Sequence, residues 1–299
     1  MAYRVLLFYK YVTMNNPEKI AGDIRVLCQK SSLKGRVIVA KEGINGTLEG
    51  TSENTEAFIK WFLSDSRFSD VKIKQSNGDG NTFPKLSVKV RKEIVGTQIP
   101  LEEADARVKT SPRLKPEELR SWYEMNKDFV LVDMRNDYEY ISGHFRGSID
   151  MGMKASRDLP KATEKIESLK EKTILTVCTG GVRCEKMSAY LLSKGFKDVY
   201  QLDGGIHSYM EKYPGKDFLG ALYTFDQRIV MNFGGKREII GQCQLCKEKT
   251  ENYVNCGNDF CHLHFLACAN CAKEEKVFCS NSCRETIEKE TRNLSLVSN

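Results

Sequence analysis

The chain has 299 residues, 40% of them hydrophobic, and a formal charge of +6, enough length and apolar content for two or three compact domains. No apolar run approaches the roughly 20 residues of a bilayer span, and the opening M-A-Y-R-V-L-L-F-Y-K is too short and interrupted for a signal peptide, so a cytoplasmic protein without membrane partners is expected. Residues 1–100 hold 16 Lys/Arg against 10 Asp/Glu while the rest is balanced at 30 of each, which places either a polyanion-binding surface or a solvated basic face in the first third.

Val5–Val12 is predicted as an apolar strand, and Pro17 opens a helix through Cys28, a small core residue. Gly35–Leu48 reads as a strand containing a bend, K-E-G-I-N-G-T. Phe58, Phe62 and Leu63 give Thr51–Phe68 a helical stripe, and Val71–Ile73 and Leu86–Val90 alternate as strands. Two strand-helix-strand units make a ferredoxin-like α+β domain over residues 1–96 the simplest packing. In the bend, Lys41 suits a phosphate and Asn45 a base edge; the same glycines equally suit a hairpin turn needing positive φ.

Residues 97–115, punctuated by prolines, read as a linker. From 116 to 219 the pattern alternates: helix Glu117–Met125, strand Phe129–Asp133, helix Leu159–Leu169, strand Thr173–Val177, helix Glu185–Lys194, strand Val199–Leu202, helix Ile206–Lys212. Such alternation predicts an α/β domain whose parallel sheet is covered by helices on both faces, with its active site at the carboxyl ends of the strands.

Cys178 falls at such an end, followed by Thr179, Gly180, Gly181, Val182 and Arg183. Backbone N–H groups and the positive end of a helix favour an anion there, so the thiol is expected to ionise readily and act as nucleophile or sulfur carrier. Cysteine phosphatases need one more residue before the arginine; here that position is Cys184, which cannot clamp a phosphate dianion. The shorter loop fits the terminal sulfur of a persulfide, with Arg183 balancing charge from its edge. Cys184 either resolves a persulfide as a disulfide partner or starts the helix.

These residues bring a resemblance with them. V-D-M-R-N-D-Y-E-Y-I-S-G-H-F-R-G-S-I (132–149), C-T-G-G-V-R and Y-Q-L-D-G-G-I (200–206) resemble the ordered motifs of rhodanese domains. The resemblance implies that Cys178 carries a persulfide held by loop N–H groups. Asp133, Arg135, Glu139 and His144 then map onto positions that mostly brace the domain. With A-K-E-G-I-N-G-T (40–47), F-D-Q-R (225–228) and the cysteine-rich end, nearly the whole chain resembles the rhodanese-containing tRNA uridine hydroxylases (TrhO). That family implies formation of 5-hydroxyuridine at wobble position 34 in the anticodon loop of tRNA, with molecular oxygen as co-substrate. No flavin, haem or nicotinamide motif is seen. Two other classes stay open from the residues alone: a sulfurtransferase, fed by a sulfur donor and passing persulfide sulfur to a thiol or RNA acceptor, and a non-enzymatic RNA-binding protein.

After a connector at 220–241, residues 242–290 contain eight of the eleven cysteines: Cys243, Cys246, Cys256, Cys261, Cys268, Cys271, Cys279 and Cys283. The C-x2-C pairs suit tetrahedral thiolate coordination, and eight thiols match two structural zinc sites, as against free thiols or a redox relay. Sequential and crossed pairing are both compatible with the spacing, and His262 and His264 read as surface positions, with replacement of a Cys ligand as the alternative.

Overall fold

The computed structural model describes residues 2–234, 237–261 and 263–297, with side chains to residue 289. The chain opens with β1 (Tyr3–Tyr11), α1 (Pro17–Lys30), β2 (Lys34–Ala40), β3 (Gly43–Thr51), α2 (Ser52–Ser64), β4 (Lys74–Gly78) and β5 (Leu86–Val90). Asn16 caps α1 through the Lys19 N–H at 2.9 Å, and Pro17 sets its first turn. The sheet order β4-β1-β3-β2-β5 is the ferredoxin-like arrangement with β5 added at one edge, parallel to β2.

Strand alternation gives this sheet two different faces. Leu6, Phe8, Val37, Val39, Ile44 and Leu48 pack with Ile24, Phe58 and Phe62 of the two helices. The intervening residues, among them Tyr9, Arg36, Asn45 and Lys74, stand on the helix-free face.

Two strand expectations change. Gly35–Leu48 is a hairpin, β2 and β3 meeting at Ala40↔Gly43 around Lys41-Glu42. Gly43 has φ +151, and a Cβ there would lie 2.1 Å from the Lys10 carbonyl oxygen, so the turn reading of the glycine is structural fact. Val71–Ile73 is not a strand; Val71 and Ile73 cover the end of the helical core, and pairing with β1 begins only at Leu7↔Lys74. The second helix stops at Ser64, and Phe68 stacks on Phe62 at 4.4 Å from the following turn.

Next come β6 (Arg113–Leu114), α3 (Pro116–Glu124), β7 (Val130–Asp133), α4 (Asp137–Tyr140), β8 (Gly143–Phe145) and β9 (Ile149–Asp150). They are followed by α5 (Leu159–Thr163, extended by a 3-10 turn to Leu169), β10 (Thr173–Val177), α6 (Val182–Ser193), β11 (Asp198–Leu202) and α7 (Gly205–Lys212). The sheet β6-β11-β10-β7-β9 is parallel throughout. Its faces are covered by α5 and α6 on one side and by α3 and α7 on the other. The stretch predicted as linker is partly built in: Arg113–Leu114 joins this sheet, and Ile99 and Ala104 are buried against the α6 side.

The remainder comprises β12 (Phe218–Gly220) paired with β8, β13 (Leu222–Tyr223) with β14 (Val230–Met231), β15 (Tyr253–Asn255) with β16 (His264–Leu266), and α8 (Asn281–Val297). No helix among the described residues is long and apolar enough to cross a membrane.

Candidate functional site

β10 delivers Cys178 to the carboxyl edge of the parallel sheet, and the chain turns at once into α6. The helix begins at Val182, three residues before the predicted Glu185, because Gly181 serves as its N-cap with φ +103. Arg183 and Cys184 therefore sit in the first helical turn. The Gly181 N–H donates to Cys178 Sγ at 3.2 Å. The loop rests on the second rhodanese-like motif: Ile206 N–H donates to the Cys178 carbonyl at 2.9 Å and His207 N–H to that of Thr179 at 3.0 Å. Gly205, at φ +66, makes this possible; a Cβ there would lie 2.5 Å from the Cys178 carbonyl oxygen and 2.8 Å from Gly181 N.

Cys178 is 1% exposed. Burial opposes ionisation, but the neighbouring Cys184 thiol, the Arg183 charge, and the N–H groups of Cys184 and Gly181 outweigh it, so the thiol is held below its ordinary range. Cys184 moves the other way, pushed up by burial and by the negative sulfur beside it. The two thiols thus share one negative charge, carried by Cys178.

Arg183 does not stand at the loop's edge as expected. It is buried and forms a two-pronged pair with Glu139, at 2.5 and 2.8 Å, while its Nη2 also reaches Thr179 Oγ1 at 3.2 Å. Glu139 additionally accepts the Asn136 N–H at 3.0 Å. The carboxylate fixes the guanidinium, whose field still acts on Cys178. Arg135 and Asp133 form a second buried pair at 2.7 Å, from which Arg135 donates to the Gly143 carbonyl. His144 stacks on Tyr140 with ring centroids 4.0 Å apart. These contacts are those of braces.

Residues that the sequence reading passed over come from the N-terminal domain. Lys74 Nζ donates to the Gly180 carbonyl at 2.6 Å, Tyr11 Oη to that of Val182 at 3.3 Å, and Tyr9 Oη to Glu185 at 3.2 Å. Burial pulls Lys74 down to about 8 against the opposing influence of the Cys178 charge. The helix-free sheet face and the loop enclose a cavity of about 370 Å³, lined by Tyr9, Arg36, Asn45, Lys74, Thr179, Gly180 and Arg183 among others. F-D-Q-R closes its side: Phe225 is 46% exposed, the Arg183 guanidinium lies 5.6 Å from its ring centroid, and Arg228 bridges Asp226 to Ser76. The continuous apolar run Val5–Tyr9 in β1 was the available signal that both faces of this strand are covered; nothing in the wholly polar β4 marked Lys74.

Of the two bend residues, Asn45 lines the cavity but donates its Nδ2 to the Ile94 carbonyl at 3.2 Å. Lys41 is exposed in the hairpin turn and outside the cavity lining.

The eight C-terminal thiols gather as two interleaved groups, Cys243, Cys246, Cys268 and Cys271, and Cys256, Cys261, Cys279 and Cys283, each with its sulfurs within 4.8 Å of one another. Crossed pairing is therefore what the fold adopts. Separations of 3.6 Å for Cys246–Cys268 and 3.7 Å for Cys261–Cys279 approach the sulfur-sulfur edge of about 3.8 Å that a tetrahedron with 2.3 Å metal–sulfur bonds requires. Both groups can hold a metal ion. His264 is engaged by Tyr223 Oη at 2.9 Å, and His262 lies outside the described residues.

A parallel sheet ending in a cysteine cradled by its own loop amides, with the double glycine of a following helix beneath it, defines the centre as a rhodanese-like domain. Comparison with known proteins agrees for every segment: the chain matches the UPF0176 acylphosphatase like domain over residues 3–94, the Rhodanese-like domain over 115–212 and Rhodanase C-terminal over 219–284. It is 40% identical to the tRNA uridine(34) hydroxylase of Staphylococcus carnosus, over 97% of this chain and 91% of that protein. It is 41% identical to that of Bacillus velezensis, over 94% and 88%. A solved rhodanese-like domain protein from Staphylococcus aureus is 27% identical over 33% of this chain and 90% of that one, with a TM-score of 0.28. The chain belongs to the tRNA uridine(34) hydroxylase family.

Proposed function

We propose that this protein hydroxylates C5 of uridine 34 in tRNA, giving 5-hydroxyuridine, with molecular oxygen as co-substrate and Cys178 as the essential sulfur. The observation that carries the reading is the place of the Cys178 loop: Thr179, Gly180, Val182 and Arg183 line a cavity shared by the rhodanese-like domain and the basic N-terminal domain, with Cys178 itself buried next to them and outside the lining. A wobble base lies in a single-stranded loop and can swing out without breaking a duplex, so a recessed cavity of this kind can receive it.

In this reading Cys178 carries a persulfide received from a sulfur donor. The loop N–H groups hold its negative charge, Arg183 lends a field fixed by Glu139, and Thr179, Gly180, Gly181 and Val182 shape the loop. Cys184 supports the Cys178 anion. Asn45 takes a base edge; Lys41, outside the cavity, is at most a peripheral phosphate contact. Thiolate metal ligands fit a reducing, cytoplasmic setting.

Both thiol groups hold structural zinc in this reading, because four thiolates leave no open position for substrate. The core around them is made largely of the cysteines themselves with Phe265, Ala267 and Val277, so the metal supplies folding energy that the apolar residues do not. Cys243→Ser is expected to lower the zinc content from two ions per chain to one and to open the residues around β15 and β16 to protease, read by metal analysis and limited proteolysis.

The test of the reaction is mass analysis of tRNA nucleosides from cells lacking the gene. Loss of the oxygen-bearing wobble uridine, restored by the wild-type chain, supports hydroxylation; loss of a thiolated base instead replaces it with sulfur transfer.

A further inference from the structure

We propose that the outer part of the N-terminal sheet is a phosphate track for the RNA strand entering the cavity, formed by Arg36, Lys85, Lys89 and Arg91. The inference rests on the hydroxylase reading and adds to it the surface that holds the substrate.

The parallel register Arg36↔Ser87 and Ile38↔Lys89 sets the geometry. With side chains alternating along β5, Lys85, Lys89 and Arg91 share the helix-free face with Arg36. They wall a groove of about 390 Å³ floored by Ile38, Phe83 and Pro84. Arg36, Ile38 and Phe83 line the groove and the cavity alike, so the two adjoin.

What sets this groove apart from the rest of the domain is four cations, unpaired among the described residues, gathered on one concave surface. Arg4, Lys10, Arg67 and Lys72 are neutralised by Glu56, Asp70, Asp65 and Asp203. The four groove cations form no ion pair among the described residues, and no carboxylate lines the groove. Lysines on an edge strand can serve simply to block edge-to-edge pairing. That purpose does not account for Arg36, which stands on β2, an interior strand, at the mouth of the cavity. A line of uncompensated cations leading to a recessed cavity is what a polyanion delivering one base requires.

The test compares two triple variants of the full chain with equal loss of charge. Lys85→Ala/Lys89→Ala/Arg91→Ala strips the groove; Lys19→Ala/Lys30→Ala/Lys60→Ala strips exposed lysines of the helical side. Affinity for an unmodified tRNA transcript carrying uridine 34 is measured across a KCl series, alongside hydroxylation kinetics. The groove variant is expected to bind at least about tenfold more weakly, with a salt slope reduced by about 2 (about 0.7 for each lost phosphate contact), and to show raised KM at unchanged kcat. The helical-side variant is expected to match wild type. Wild-type affinity and slope in the groove variant, or equal loss in both variants, overturns the track while leaving the hydroxylase reading in place. Absence of tRNA binding by the wild-type protein overturns both.

Discussion

Cys178→Ser is expected to leave uridine 34 unhydroxylated in a strain whose only copy of the protein carries the substitution. Serine is close to cysteine in size, and the Gly181 N–H that now meets sulfur at 3.2 Å can still be satisfied. The fold should therefore survive, with stability changed by less than about 1 kcal/mol. The chemistry should not: a hydroxyl neither ionises in this loop near neutral pH nor carries a second sulfur. Nucleoside mass analysis with a thermal melt of the same protein reads both halves, and full hydroxylation by the variant would remove Cys178 from the reaction. Cys184→Ser separates the two roles left open for the neighbour. If Cys184 only donates a hydrogen bond to the Cys178 anion, the serine hydroxyl and the same backbone N–H can still supply it, so activity should fall by less than about tenfold. Loss as complete as that of Cys178→Ser would instead assign it the resolving role.

Gly205→Ala is expected to have the second largest effect although it touches no reacting atom. The added methyl would lie 2.5 Å from the Cys178 carbonyl oxygen and 2.8 Å from both Gly181 N and the Thr179 oxygen, and all three are backbone atoms that no rotamer can move aside. The helix bearing Gly205 and the cysteine loop must separate, breaking the bonds from Ile206 and His207. Combined with the cost of positive φ for alanine, a stability loss of about 3 kcal/mol or more is expected, with hydroxylation reduced at least about a hundredfold. Gly195→Ala is the control: its φ of +87 is equally unfavourable to alanine, but its Cβ would meet nothing within 4 Å. That variant should lose only about 1 kcal/mol and keep its activity. Equal damage from both would mean that backbone strain alone, and not support of the loop, explains Gly205.

The cysteine loop was legible in the sequence because its parts are adjacent: a buried strand, a cysteine, two glycines and an arginine. The fold classes were legible for a similar reason, since each strand-helix alternation is local. Crossing of the thiol groups was not, because spacing alone permits either arrangement and it takes the Gln244 N–H bond to the Leu266 carbonyl to seat the first knuckle beside Cys268. The partner of Arg183 was hidden for another reason. Glu139 lies in a distant motif whose residues look like braces, and it is the burial of both groups that joins them. The cavity was least legible of all. Its walls mix apolar Val5, Leu7 and Ile38 with polar Arg36, Asn45 and Lys74 from β1 to β4, a mixture that hints at a covered face but not at which part of the chain covers it. Val71 and Ile73 show the converse error, where an apolar alternation marked packing and not pairing.

The central claim is that this loop holds negative charge on the Cys178 sulfur. The direct measurement is the rate of alkylation of Cys178 by iodoacetamide as a function of pH, followed by mass analysis of the peptide that contains it. Only the thiolate reacts, so the rate rises with pH and levels off once the group is ionised. A loop that lowers the thiol places that plateau near neutral pH, well before ordinary cysteines react fully. A rate still climbing through the ordinary thiol range, near pH 8 to 9, would contradict the account.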